Sequence, residues 1–253
     1  LQSTGGETEF FRDGKRAVLV SWAQGGEIVA WSSGVDASLQ EECDNTGVTL
    51  ARMEDGFIRS VGLGSDFNWP YSLVVDRKGI YYDPSRPSEL EDILSAMPEH
   101  PDRNALLERA AALRVLILEN GLTKYNTGFR AALPPKFPEG KKIVLVPGQV
   151  EDDASVRCGG FGMSNLDVLR AAREARPDAF IIYKPHPDVE SGNRQGAIPE
   201  ATALRYADSL LRDFPMGRLL PLVHEVHTLT SQTGFEALLR GVRVFTYGGP
   251  FYA

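Results

Sequence analysis

Cysteine is scarce in this chain. Cys43 and Cys158 are the only two in 253 residues, far apart and without a second pair, which excludes a disulfide framework and a cysteine-built zinc site and fits a reducing cytoplasm. Long apolar runs are missing as well. The stretch AALRVLILENG falls well short of the ~20 residues that cross a bilayer, and no secretory leader pattern is present. Positive charge is not in excess: 27 Lys and Arg against 34 Asp and Glu leave a net charge of −7. Nucleic acid, whose phosphates require clustered cations, is therefore not an expected partner. Neither the G-x-G-x-x-G fingerprint nor the phosphate-loop lysine motif occurs, which argues against dinucleotide binding and ATP hydrolysis. His224 and His227 stand in HEVH, short of the full H-E-x-x-H zinc pattern, and both read as structural.

What is present is globular composition, 42% hydrophobic, enough for one large core or two smaller ones; two are expected. The chain starts at Leu1 and its last residues, YGGPFYA, read as the middle of a loop, so it is expected to be an excised module of a longer protein. In the first part, KRAVLVSWA and GVTLARMED are short apolar runs, the latter read as a strand, and YSLVVDRKGIYYDP reads as two strands around a turn at Lys78 and Gly79. Ser88 and Glu91 have capping-box spacing ahead of a helix. NALLERAAALRVLILENG places Leu106, Ala110, Leu113 and Ile117 on one helical face before Gly121. LPPKFPEGKK then reads as a linker, dividing the chain into units over 1–134 and 135–253.

The second unit alternates regularly. KKIVLVPGQ, AFIIYKPHPD, EVHTLTS and VRVFTYG read as strands; SNLDVLRAAREARPD, ATALRYADSLLRDF and TGFEALLRG read as helices. Apolar strands alternating with helices imply an α/β fold, a parallel sheet covered on both faces and joined by right-handed crossovers in a Rossmann-like arrangement. Ligands in such sheets bind at the carboxyl ends of the strands, where GQVEDDAS, KPHPD and TSQTG all fall.

Those three loops hold the groups with chemistry. Ser231 and Thr233 precede a helix, where hydroxyls and unpaired backbone N–H groups can hold a phosphate; a plain helix cap uses the same residues. His186 sits between two prolines at a strand end, as a rigid phosphate donor or a structural histidine. Glu151, Asp152 and Asp153 are adjacent carboxylates, costly together unless they titrate apart, bind a cation or face different ways, and one reads as a nucleophile or base unless the loop is simply solvated. In the first unit, MEDGFIRSVGLGSDFNWP gathers Glu54, Asp55, Arg59 and Ser60 into an exposed polar loop, functional or a salt-bridged turn.

Taken together, EDGFIRSVGLG, GIYYDPSRP, LVPGQVEDDAS, YKPHPD with SGNR, and TSQTGFEALLRG resemble the capsular polysaccharide biosynthesis proteins of the KpsC type, retaining β-Kdo glycosyltransferases of capsule-producing Gram-negative bacteria. The resemblance runs from about Val48 to Ala253. It implies a GT-B glycosyltransferase architecture, two Rossmann-like domains with the active site between them: residues 1–134 on the acceptor side, 135–253 binding the donor CMP-β-Kdo. It also implies tandem modules, of which GQVEDDAS resembles the second, a Kdo-terminated phospholipid-linked acceptor, and peripheral association with the inner membrane and capsule assembly proteins. Carried over residue by residue, His186 and Pro187 meet the CMP phosphate, as do Ser231 and Thr233. The catalytic aspartate is one of EDDAS, with Asp153 chosen and Glu151 as its rival, and Glu54 is a candidate acid/base. Lys184 and Arg194 are placed to pair with the Kdo carboxylate, and Gln149 lies on the donor side.

Retention at the sugar carbon requires two inversions, hence a carboxylate that attacks and later departs. CMP leaves as a phosphate, which hydrogen-bond donors can stabilise. No D-x-D motif occurs, so no metal and no cofactor are expected. A transferase using CMP-sialic acid or CDP-glycerol on the same fold, and a non-catalytic nucleotide- or glycolipid-binding module of the export machinery, are the alternatives.

Overall fold

A computed structural model describes residues 7–62, 68–126 and 135–253 of the chain. The middle of the polar loop (63–67) and the start of LPPKFPEGKK lie outside the described residues. Helix α1 (Gly14–Gln24) carries the first apolar run: the Asp13 carboxylate caps its start by accepting from the Lys15 and Arg16 N–H groups, and Gly25, at φ 71°, closes its end. Strand β1 (Ile28–Trp31) leads to α2 (Ala37–Thr46), capped by Asp36, then to β2 (Leu50–Asp55) and β3 (Leu73–Asp76). β2 is central, parallel to β1 and antiparallel to β3. A small core of Val18, Ile28, Cys43 and Leu50 lies between this sheet and the first two helices.

The second strand expected within YSLVVDRKGIYYDP does not form. The Asp76 carboxylate accepts from the Lys78, Gly79 and Glu89 N–H groups, which folds the chain back at once and leaves residues 80–83 as a turn with Ile80 and Tyr82 buried. Helix α3 (Glu89–Ala96) opens on the reciprocal Ser88–Glu91 capping box, as its spacing predicts. Helix α4 (Arg103–Glu119) follows; of its expected apolar face only Ile117 is buried, and Leu113 is exposed.

The second sheet is five-stranded and wholly parallel. It comprises β4 (Ile143–Pro147), β5 (Phe180–Lys184), β6 (Ser209–Leu210), β7 (Glu225–Thr228) and β8 (Arg243–Thr246), in the spatial order β6-β5-β4-β7-β8. Alternate residues of β4 feed opposite cores. Val144 and Val146 pack with Val168, Leu169 and Ala172 of α6 (Asn165–Ala175), whereas Ile143 and Leu145 pack with Phe214, Leu219 and Ala237. Connections run through α5 (Ala154–Gly159) and α6, α7 (Pro187–Glu190), α8 (Glu200–Ala203), α9 (Met216–Leu219) and α10 (Gln232–Leu239). The long helix expected over ATALRYADSLLRDF stops after α8, because the Asp208 carboxylate accepts from Ile181 N at 2.8 Å and Arg173, drawing the chain alongside β5 as β6.

Glu225, fully buried where β7 begins, is held by Lys142, Arg176 and Arg243. Burial works against its charge, but the Arg176 and Lys142 hydrogen bonds outweigh it and hold its pKa down to about 2. This network secures the sheet edge opposite the strand ends that carry the polar loops.

Candidate active site

The order β6-β5-β4-β7-β8 reverses direction beside β4, so a crevice opens beyond the carboxyl ends of β4 and β7. Gly148 lets the two flanking loops meet there: a Cβ on it would stand 3.1 Å from Pro185 Cα and 3.2 Å from His186 N. Buried Gln149 ties the loop after β4 to the loop after β7. Its Oε1 accepts from Thr228 Oγ1 at 3.1 Å, Leu229 N at 3.2 Å and Thr230 N at 3.1 Å, while its Nε2 donates to Thr230 Oγ1 at 3.0 Å. The side chain thus fixes the segment that delivers Ser231.

Each strand end passes directly into a helix start. Asp153 caps α5, its Oδ1 accepting from Ser155 N at 3.0 Å and Ser155 Oγ at 2.8 Å, and its Oδ2 makes no hydrogen bond to the described residues. His186 caps α7: its Nδ1 accepts from Asp188 N at 3.2 Å, which puts the proton of the neutral ring on Nε2. Burial lowers the His186 pKa, against the opposing pull of Asp188 and Asp153, and Lys124 and Arg194 lower it further. Ser231 caps α10 by accepting from Thr233 N at 3.2 Å; an acceptor in that bond, its hydroxyl keeps its own proton to donate. Capping and anion binding are therefore compatible at Ser231.

The three-stranded sheet presents its own groups to the same crevice. Glu54 and Asp55 end β2, and Asp55 Oδ2 pairs with Arg59 Nε at 2.6 Å. Arg59 N donates to the Lys124 carbonyl at 2.8 Å, and Lys124 N to Glu236 Oε1 of α10 at 2.7 Å, so one chain of hydrogen bonds joins the two sheets' elements. Aromatic rings seal the junction: Phe57 stacks on Phe251 at 4.7 Å, with Tyr81, Phe235 and Tyr252 around them. Between lies a cavity of about 970 Å³ lined by Glu54, Tyr81, Lys124, Asp153, His186 and Ser231, among others. Burial raises the Glu54 pKa, and neighbouring Asp55 and Asp153 add to this while its own loop's N–H and Lys124 oppose it. Burial likewise pushes Glu236 up to about 7.

The expected site residues divide by where their side chains go. Glu54, Asp153, His186, Pro187, Ser231 and Thr233 share the cavity. Glu151 does not line it; its Oε1 accepts from Asn165 N at 2.7 Å, at the start of α6. Lys184 lines the cavity, yet its Nζ donates to the Arg212 carbonyl at 2.6 Å and burial lowers its pKa. Arg194 pairs with Asp152 at 3.2 Å. His224 accepts from Ile143 N at 3.0 Å and His227 lies 2.8 Å from Tyr247 Oη, both within the sheet rather than in the cavity. Sequence reasoning assigned no role to Lys124, Tyr82 or Glu236; Tyr82 lies in GIYYDPSRP and Glu236 in TSQTGFEALLRG, but only the meeting of distant segments brings the three to one cavity. Among the described residues, no group of three or more His, Cys, Asp or Glu converges to hold a metal ion, and no helix is long and apolar enough to cross a membrane.

The family model for capsule polysaccharide biosynthesis proteins matches residues 27–127 and 111–253. The chain belongs to that family. Within it, the chain is 45% identical over 246 residues to the capsule polysaccharide modification protein LipA of Neisseria meningitidis serogroup B, a match covering 97% of this chain and 34% of that protein. It is 43% identical over 209 residues to the lipopolysaccharide-processing protein LpsZ of Rhizobium meliloti, covering 82% of this chain and 47% of that one. The chain therefore spans less than half the length of these relatives. Among solved structures, it is similar to the β-Kdo 2,4 transferase of Thermosulfurimonas dismutans KpsC, with a TM-score of 0.76, 32% identity, and coverage of 89% of this chain and 70% of that one. The β-Kdo 2,7 transferase of the same KpsC gives 0.72, 37% identity, and coverage of 97% and 72%.

Proposed function

We propose that this capsule-family chain is a retaining β-Kdo transferase module with GT-B architecture, its units divided near residue 134, which moves Kdo from CMP-β-Kdo to a Kdo-terminated lipid-linked acceptor at the cytoplasmic face of the inner membrane. The single observation that carries the reading is the meeting, in one cavity, of phosphate-binding donors from two parallel strand ends with carboxyls from both sheets. Similarity to two Kdo transferases supports the sugar.

In this mechanism His186 Nε2–H, Ser231 Oγ–H and the N–H groups at the start of α10 hold the CMP phosphate. Asp153 Oδ2 attacks the anomeric carbon; that C–O bond forms as the bond to the phosphate oxygen breaks, and CMP leaves with the electron pair. The acceptor hydroxyl then attacks the same carbon, the Asp153 carboxylate departs, and the hydroxyl proton passes to Glu54. Two inversions give retention. A carboxyl whose pKa is raised toward the working pH suits that base role. Ser155, bonded to Asp153 Oδ1, orients the nucleophile. Gln149 acts by positioning the Ser231 loop, and Lys184 by fixing the loop after β5 to Arg212.

The test is incubation of the complete protein with CMP-Kdo and a synthetic Kdo acceptor, followed by NMR of the product. A β-linked Kdo product is expected. An α-linked product removes the covalent mechanism; transfer from CMP-sialic acid or CDP-glycerol instead replaces the donor; nucleotide binding without any transfer favours a non-catalytic module.

A further inference from the structure

Beside the main cavity lies a second pocket of about 520 Å³, between α2, the turn at residues 79–86 and α5. Ser33, Tyr82, Ala154 and Arg157 line both, so the two spaces adjoin. Arginines dominate its cationic chemistry. Arg52, from the middle of β2, and Arg86 both donate to one neutral oxygen, Gln40 Oε1, the latter at 3.2 Å. Arg157 stands one helical turn after Asp153, its N–H donating to the Asp153 carbonyl at 2.9 Å.

Among the described residues, none of these three guanidinium groups has a carboxylate within 4.0 Å, whereas Arg59, Arg77, Arg173 and Arg176 elsewhere each do. Acids are present in the pocket too, Asp36, Glu41, Asp44 and Asp83, none paired with these guanidinium groups; Glu41 is exposed, and one oxygen of each aspartate is engaged locally. Asp36 caps α2, Asp44 accepts from Gln40 Nε2 at 2.7 Å, and Asp83 accepts from Ser85 N and Oγ. Two guanidinium groups converging on a neutral amide oxygen, partly out of water, lower each other's affinity for charge. Arg52 accordingly has a depressed pKa, through burial first and Arg86 second. A bidentate anion is the ligand that relieves this, since guanidinium–carboxylate bonds are about twice as strong as bonds to a neutral acceptor.

We propose that this side pocket is an acceptor subsite in which Arg52, Arg86 and Arg157 hold the carboxylate of the acceptor's acidic sugar. The inference rests on the transferase reading above and deepens it. The pocket shares Ala154 and Arg157 of α5, next to Asp153, with the main cavity, whereas His186 lines only the latter, and every Kdo residue of an acceptor carries a carboxylate. Its role is specificity: an acidic sugar docks here and places its hydroxyl toward Asp153, while a neutral sugar leaves two guanidinium groups without an anion.

Calorimetry on the complete protein, without donor, tests it with three soluble probes. These are a Kdo glycoside on an uncharged aglycone, the same glycoside with its carboxyl reduced to an alcohol, and a phosphate-bearing glycoside lacking the carboxylate. The parent should bind the acid about tenfold or more tighter than the alcohol, the gap expected of a charge-assisted contact. Arg86→Gln and Arg157→Gln, both at exposed positions, should erase that gap with CMP affinity unchanged; partly buried Arg52→Gln should do the same where thermal unfolding shows it folded. A gap that survives in the exposed variants, or no gap in the parent, overturns the proposal. So does a loss confined to the phosphate-bearing probe. Transfer from CMP-Kdo is measured in parallel: transfer without a carboxylate gap rejects the subsite alone, and a gap without transfer rejects the transferase reading alone.

Discussion

Replacing Gln149 by Leu removes the clamp between the loops after β4 and β7 while keeping the volume similar. Two buried backbone donors, Leu229 N and Thr230 N, lose Gln149 Oε1, the acceptor they have among the described residues. The hydroxyls of Thr228 and Thr230 can rotate, but the two N–H groups cannot. At ~1–3 kcal/mol for each buried donor left unpaired, the loss is roughly 2–6 kcal/mol, a large share of a net stability of ~5–15 kcal/mol. A loss of ~3 kcal/mol corresponds to a fall in melting temperature of roughly 6–12 °C for a chain of this size. Because the clamped segment delivers Ser231, CMP affinity should fall together with stability. Urea unfolding followed by fluorescence, with CMP titration by calorimetry, reads both. A Gln149→Leu protein within ~0.5 kcal/mol of the parent and with unchanged CMP affinity would refute the clamp and return Gln149 to a direct role toward the donor.

His186→Ala should weaken CMP binding about ten- to a hundredfold, the loss of one hydrogen bond to a charged acceptor, with Ser231→Ala losing less; calorimetry decides, and equal affinity contradicts the phosphate clamp. Glu236 gives a pH prediction. Its folded pKa of about 7 lies above its ordinary value of 4.5, so the folded state binds the extra proton and stability falls as pH rises from about 4.5 to 7, by roughly 3 kcal/mol in total. In Glu236→Gln, which can still accept from Lys124 N, the difference from the parent should appear across that window in urea midpoints; parallel profiles would show that the proton is not bound there. Chelation by EDTA should leave transfer unchanged, and a rate abolished by EDTA and restored by magnesium or manganese would instead place a cation among the acids of the cavity.

The parallel sheet was legible because β4 and β5 are buried almost throughout and so read as nearly unbroken apolar runs, whereas β7 is buried despite Glu225 and His227 and the edge strand β8 is only half-buried. β6 was not, since two residues at a sheet edge carry no periodicity, and the helical spacing of ATALRYADSLLRDF is overridden by one side chain, Asp208, bonding to Ile181 N. Similarly, the turn after β3 depends on the Asp76 carboxylate capturing three N–H groups, a choice between extended and turned backbone that the apolar pattern of GIYYDP does not encode. The strand-end loops of the cavity were legible from topology alone. Within EDDAS the division of labour was not: Glu151 turns to α6 and Asp153 to the cavity because Asn165 N supplies a partner for the former from fourteen residues away. Lys124, Tyr81 and Glu236 meet only through long-range contacts.

Trapping the sugar on the protein tests Asp153 as the nucleophile. The complete protein is incubated with CMP-Kdo and no acceptor, and its intact mass is measured before peptide mapping. One added Kdo residue is expected on Asp153, absent in Asp153→Asn, which should bind CMP nearly as the parent does because amide and carboxylate are close in size. Attachment at Glu151 or Glu54, or full transfer activity in Asp153→Asn, would contradict it.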